Sequence, residues 1–209
     1  NETPQPVGNE LLLRVSACGV CHSDLHIWDG YFDLGNGQKF PIEERGVTLP
    51  FTMGHEPVGT VVATGPTADP RLVGKSFAIY PWVNCNECQP CRNGLAQICD
   101  TPRIIGTRVS GAYSDHVVVP DARFLVDHTG IAPELACTLA CSGLTTYSAI
   151  KKIQLDQLTE NDTIVVIGAG GLGLTAIRIL NALCPARIVV SDINHESRSA
   201  AIDLGADAT

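Results

Sequence analysis

Thr163-Ile164-Val165-Val166-Ile167-Gly168-Ala169-Gly170-Gly171-Leu172-Gly173 decides how the second half of the chain is read. Its first five residues are β-branched and favour a strand. The next six spell G-x-G-x-x-G and open into an apolar, helically spaced stretch that runs to residue 183. Three glycines alone carry little weight, but between a β-branched strand and an apolar helix they have the context a dinucleotide-binding turn requires. Gly168 permits the tight turn, Gly170 a close approach by a pyrophosphate, and Gly173 close helix–strand packing. The helix N-terminus offers backbone donors to phosphate. Gly168, Gly170, Gly171, Leu172 and Gly173 are therefore candidate cofactor-binding positions. A second β-branched run, 187–190, ends at Ser191-Asp192, 24 positions after Gly168. An acidic residue there bonds both ribose hydroxyls and repels a 2′-phosphate, so Asp192 favours NAD over NADP. A plain turn or helix-cap role for Asp192 is the alternative.

Around this stretch the pattern alternates. Residues 134–140, 144–153, 171–183 and 196–204 read as helices, with strands at 163–167 and 187–190, which predicts a parallel α/β unit. Before about residue 140 the texture differs. Short strands at 10–15, 58–63, 76–80 and 113–119 are separated by Gly, Pro, Asn and Asp, and predict a closed or partly closed antiparallel barrel. The expected boundary lies near Ser142, giving domains 1–142 and 143–209.

The 209 residues are 44% hydrophobic and 17% charged, a core-forming composition. No run of about 18 apolar residues suggests a membrane span, and the opening residues lack a signal-peptide pattern. A net charge of −8 argues against a nucleic-acid or anionic-membrane surface. The only methionine is Met53, so residue 1 is not expected to be the native start.

Nine cysteines, an odd number, cannot all pair. Cys85, Cys88, Cys91 and Cys99 form C-x2-C-x2-C-x7-C, a spacing that lets four thiolates of one loop close a tetrahedron around Zn2+. A closed shell leaves no position for substrate, so this zinc is expected to be structural. A redox pair or unrelated free thiols are the alternatives. Metal thiolates imply a reducing compartment, hence the cytoplasm. Cys18, Cys137 and Cys184 read as buried fillers.

Three further segments hold reactive side chains: Cys21-His22-Ser23-Asp24-Leu25-His26, Gly54-His55-Glu56 and Cys141-Ser142-Gly143. Each has a bland reading. Cys21 suits a buried small hydrophobe, His55 a core histidine, and Cys141 a helix start. Ser23 suits an N-cap, and Asp24 a charge at a helix N-terminus.

In order along the chain, Gly19–His26, Gly54–Gly59, the four-cysteine loop, Leu139–Tyr147 and the glycine turn resemble the motifs of zinc-dependent medium-chain alcohol dehydrogenases. The resemblance covers essentially the whole chain. It implies a GroES-like, partly open β-barrel followed by an incomplete Rossmann doubly wound parallel sheet. It implies that Cys21, His55 and Cys141 bind a catalytic zinc, with Glu56 behind the metal and Asp24 orienting the histidine. It further implies that Ser23 takes an alcohol proton and His26 passes it to solvent. His22 stands where many relatives carry Arg, facing the cofactor pyrophosphate, and is expected to hold the dinucleotide more weakly. Trp28 and Trp82 are candidate pocket walls or, equally, core aromatics.

The implied activity is hydride transfer between a primary or secondary alcohol and NAD, with two zinc ions per full-length chain and a homo-oligomer, dimer or tetramer. A formaldehyde, polyol or sugar dehydrogenase on the same scaffold, or a non-catalytic zinc-stabilised module, are the alternatives. Two strands after residue 163 fall short of a full nucleotide domain. A further hundred or so residues are expected beyond Thr209, and a protein ending there is expected to aggregate and to lack activity.

Overall fold

The computed structural model describes residues 2–209. The chain divides into two compact units that part between Ala140 and Cys141.

The first unit is built on five antiparallel strands: β1 (Leu11–Gly19), β4 (Glu56–Thr64), β5 (Ser76–Ile79), β6 (His116–Val119) and β7 (Leu125–Val126), in the spatial order β6-β1-β4-β5-β7. The sheet is open, with β6 and β7 at its edges, so the closed alternative for the barrel is not realised among the described residues. Alternation buries one face: Leu11, Leu13, Val61, Ile79, Val117 and Val119 join Phe124 and Ile105 in a common core. On the other face α3 (Pro133–Thr138) lays Ala136 and Cys137 against Val58 and Ala78.

The β1–β4 ladder carries two register shifts, the second between Val15 and Ala17. There Gly59 runs so close to the Arg14 carbonyl that a Cβ would stand 2.6 Å from its oxygen. Such a bulge re-aims the rest of a strand, and here it sets the pairing Ala17↔Val58, Cys18↔Pro57 and Gly19↔Glu56 at the ladder's end.

Between β1 and β4 lie α1 (His22–Asp29) and a hairpin of β2 (Tyr31–Gly35) and β3 (Gln38–Pro41). Sequence reading missed the hairpin, although its Asn36-Gly37 turn, at φ 52° and 77°, is a strong two-residue hairpin signal. The expected strand at 113–119 starts three residues late, at His116, because residues 111–113 instead bond the backbone of 52–54. The short helix α2 (Gln89–Arg92) lies within the cysteine loop.

The second unit opens on a π-helical turn, Leu139–Gly143, that crosses the unit boundary and runs into α4 (Leu144–Ile150). It continues through β8 (Thr163–Ile167), α5 (Gly171–Leu183), β9 (Arg187–Ser191) and α6 (His195–Asp203). β8 and β9 pair in parallel, and Ala208 bridges in parallel to Val189 on the far side of β9. Ile150, Ile177, Leu180, Ile188, Val190 and Ala201 form the core.

The glycine turn has the expected stereochemistry. Gly168 sits at φ 91°, where an L side chain is strained. A Cβ at Gly173 would collide with the Gly168 carbonyl oxygen. Alanine is the better helix former by about 1 kcal/mol, yet the obstructing atom is backbone and cannot swing aside. Gly173→Ala should therefore lower stability by about 1–3 kcal/mol, measured by urea unfolding.

Candidate metal centres and nucleotide turn

In the cysteine loop the four sulfurs converge within 4.8 Å of one another. Cys85 and Cys99 Sγ are 3.5 Å apart, while Cys85–Cys91 and Cys88–Cys99 are each 3.9 Å apart. Four thiolates at about 2.3 Å from a tetrahedral ion stand about 3.8 Å apart, so the donor set fits zinc. Backbone N–H groups point at the sulfurs: Glu87 and Cys88 donate to Cys85 at 3.4 and 3.3 Å. These two donors hold the Cys85 thiol down at about 6.

The second cluster forms where the β1–β4 ladder ends. β1 stops at Gly19 and the chain turns at Cys21 into α1, while His55 immediately precedes β4. The topology so brings together side chains 34 positions apart: the metal-binding atoms of Cys21, His55 and Glu56 lie within 4.8 Å of one another. Cys21 is the N-cap of α1, where the helix dipole favours a thiolate. Asp24, at the third helical position, accepts the Cys21 N–H through Oδ2 at 2.9 Å. Ser23 is thus not the N-cap that its residue type suggests; it stands two residues into the helix, after the cap is already filled.

Asp24, His55 and Glu56 are 3%, 2% and 4% exposed, and among the described residues they are the only buried carboxylates and imidazole. No lysine or arginine is buried with them, so hydrogen bonds, the imidazole or a metal must satisfy the buried polar atoms. His55 Nδ1 and Asp24 Oδ1 face each other at 3.5 Å, and neither makes a closer hydrogen bond. Burial pushes the imidazole down, but Asp24 and Cys21 outweigh it and hold His55 up at about 9. Asp24 itself is held below its ordinary value: burial pushes it up, and His55 with the Cys21 N–H more than offset that. A divalent ion on the other ring nitrogen would leave the Nδ1 proton to Asp24, the usual arrangement of a ligating histidine.

The neighbouring thiols behave differently. Burial pushes Cys18 up to about 12, which leaves it protonated. Cys137 is buried, while Cys18 and Cys184 are only half-buried. Cys141 lies on the π-helical turn as the first residue of the second unit.

On α1, His22 is exposed and its ring meets that of His26 edge-on at 4.9 Å; His26 in turn lies 4.9 Å from Phe32. Trp28 is 80% exposed, so it is not a core aromatic; Trp82 is half-buried. Sequence reading passed over Tyr113, whose hydroxyl lies 2.9 Å from Asp24 Oδ2. No spacing signal links the two, since they are 89 positions apart.

In the second unit, side chains at Gly170 and Gly171 would meet nothing within 4 Å, so the backbone at the start of α5 stays uncovered. Asp192 Oδ2 accepts the Ala169 N–H and Oδ1 the Asn194 N–H, each at 2.7 Å. The carboxylate therefore already ties the glycine turn to the end of β9. No helix among the described residues is long and apolar enough to cross a membrane.

Gly19 and Glu56 are paired so closely that a Cβ at Gly19 would run into the Glu56 carboxylate. Gly19→Ala should cost about 1–3 kcal/mol of stability. The Glu56→Ala change should recover most of that loss in the double variant, read by urea unfolding of all four combinations.

The profile of the alcohol dehydrogenase GroES-like domain matches residues 8–129. An NAD-dependent alcohol dehydrogenase of Sulfurisphaera tokodaii is 40% identical over 98% of this chain, which spans 57% of that relative's length. The crystal structure of D-arabinose dehydrogenase from Sulfolobus solfataricus superposes with a TM-score of 0.87 at 32% identity, covering 100% of this chain and 62% of that one. A structure described as a short chain alcohol dehydrogenase from Escherichia coli CFT073, complexed with NADH, superposes with a TM-score of 0.83 at 30% identity, covering 100% of this chain and 57% of that one.

Proposed function

The chain belongs to the zinc-dependent medium-chain alcohol dehydrogenase family, and from that membership we propose that the intact protein transfers hydride between a primary or secondary alcohol and NAD. The first unit would be the catalytic domain and the second the start of the nucleotide-binding domain. The observation that carries this is the buried Asp24–His55–Glu56 cluster beside Cys21, a donor set unlike the closed four-cysteine loop. Cys21, His55 and Cys141 would hold the catalytic zinc, and Cys85, Cys88, Cys91 and Cys99 the structural one. Bound there, zinc would polarise the substrate oxygen and NAD would accept the hydride.

The chain's own residues then have separate tasks. Asp24 would accept a hydrogen bond from the His55 Nδ1–H and so fix which ring nitrogen faces the metal. Ser23 takes the proton of the alcohol. His26, three positions on and so on the same side of α1, passes it to solvent. His22, exposed on the first turn, faces the pyrophosphate, and Trp28 lines the substrate pocket. The uncovered backbone of Gly168, Gly170, Gly171, Leu172 and Gly173 receives the phosphates. Each Asp192 oxygen keeps a second lone pair for a ribose hydroxyl beyond the bond it already accepts. We place the protein in the cytoplasm as a homo-oligomer. A sugar substrate is the second reading, favoured by the likeness to D-arabinose dehydrogenase.

Metal analysis with NADH formation over a panel of alcohols and sugars tests the proposal. Two zinc ions per full-length chain and activity abolished by chelation are expected. A single zinc and no turnover would instead mark a zinc-stabilised module. Asp192→Ala should raise kcat/KM with NADP relative to NAD; an unchanged ratio removes Asp192 from cofactor choice.

A further inference from the structure

Tyr113 is attached to both segments that carry the buried cluster. The backbone N–H groups of Gly111, Ala112 and Tyr113 donate to the carbonyl oxygens of Thr52, Gly54 and Met53 at 2.7, 2.9 and 2.9 Å. These three residues lead directly into His55. Gly54 sits at φ 97°, and a Cβ there would stand 2.7 Å from Tyr113 Cδ1, so the ring lies flush against the backbone just before His55. From this anchorage the hydroxyl reaches the other segment, 2.9 Å from Asp24 Oδ2 and 3.1 Å from the Gly19 carbonyl oxygen. Asp24 Oδ2 also accepts the Cys21 N–H, while Oδ1 faces His55 Nδ1 at 3.5 Å.

We propose that Tyr113 is a positioning residue for the metal site: its hydroxyl locks the Asp24 carboxylate, and through it the His55 ring and the Cys21 turn. The inference rests on the catalytic metal site proposed above. The second torsion of an aspartate is soft, so one N–H donor on Oδ2 leaves the carboxylate free to rotate Oδ1 away from His55. Two donors arriving from different segments, the Cys21 N–H and the Tyr113 hydroxyl, fix its plane. The hydroxyl acts across two contacts and touches no reacting atom.

Tyr113→Phe keeps the ring against Gly54 and removes only the hydroxyl. The test uses the intact, metal-loaded protein, with the four-cysteine loop as internal reference. Removing groups that orient a ligating histidine weakens metal binding by about 10–100-fold, and at this remove the lower end applies. Zinc release to a chelating dye should become about tenfold faster from the Cys21–His55 site and stay unchanged from the loop. Cobalt substituted at the Cys21–His55 site should show a shifted d–d absorption band, which general loosening of the fold would not produce. In an Asp24→Asn background Tyr113→Phe should add little, because the two act on one contact. Unchanged release and spectrum in a parent that binds both metals overturn the role of Tyr113 and leave the site standing. Equal loosening of both sites also overturns it. A parent that binds metal in the loop alone overturns the site itself, and the role of Tyr113 with it.

Discussion

The antiparallel ladder between β1 and β4 is the constraint on which the first unit depends. Its last pair, Gly19↔Glu56, puts the end of one strand beside the start of the other. The chain leaves β1 through Cys21 and enters β4 from His55, so two donors distant in sequence meet without any loop having to reach. A strand slipped by one residue would turn every side chain to the opposite face. The bulge near Ser16 and the close approach of Gly59 to Arg14 pin the register against that slip. Gly19 then leaves the space that the Glu56 carboxylate fills.

Electrostatics and packing pull in opposite directions at this corner. Burying two carboxylates is costly unless a positive group accompanies them. The fold supplies one imidazole and several N–H and O–H donors, and keeps lysine and arginine out. Donors from the Cys21 backbone and Tyr113 steady Asp24, while the helix start favours a thiolate at Cys21. At the nearby, half-buried Cys18 desolvation outweighs a backbone hydrogen bond at Glu56, and it stays a thiol. Two cysteines three positions apart thus stand in different settings, one at a helix cap and the other within a strand.

What the sequence disclosed follows from the range of the interactions involved. The four-cysteine loop and the glycine turn are local, so spacing alone reveals them: Cys85 to Cys99 span fifteen positions and Gly168 to Gly173 six. The Cys21–His55–Glu56 cluster is made by strand pairing, and no spacing rule anticipates it; only resemblance to a family did. Ser23 looked like a cap because its residue type is common there, whereas Cys21 holds the cap, with Asp24 bonding its N–H. Tyr113 was invisible because its role depends on a backbone contact with residues 52–54 and a hydroxyl contact with Asp24. The Asn36-Gly37 hairpin is local too, its turn fixed by two adjacent residues of positive φ.

The two donor sets also differ in what organises them. All four thiols of the loop belong to one irregular segment with little core of its own, so a metal there contributes directly to folding that segment. Cys21, His55 and Glu56 are instead held by a paired sheet, a capped helix and a tyrosine anchored on backbone. Their geometry is established by burial and hydrogen bonding within the β-rich unit. A site organised in this way keeps its donors in place whether or not a ligand occupies it.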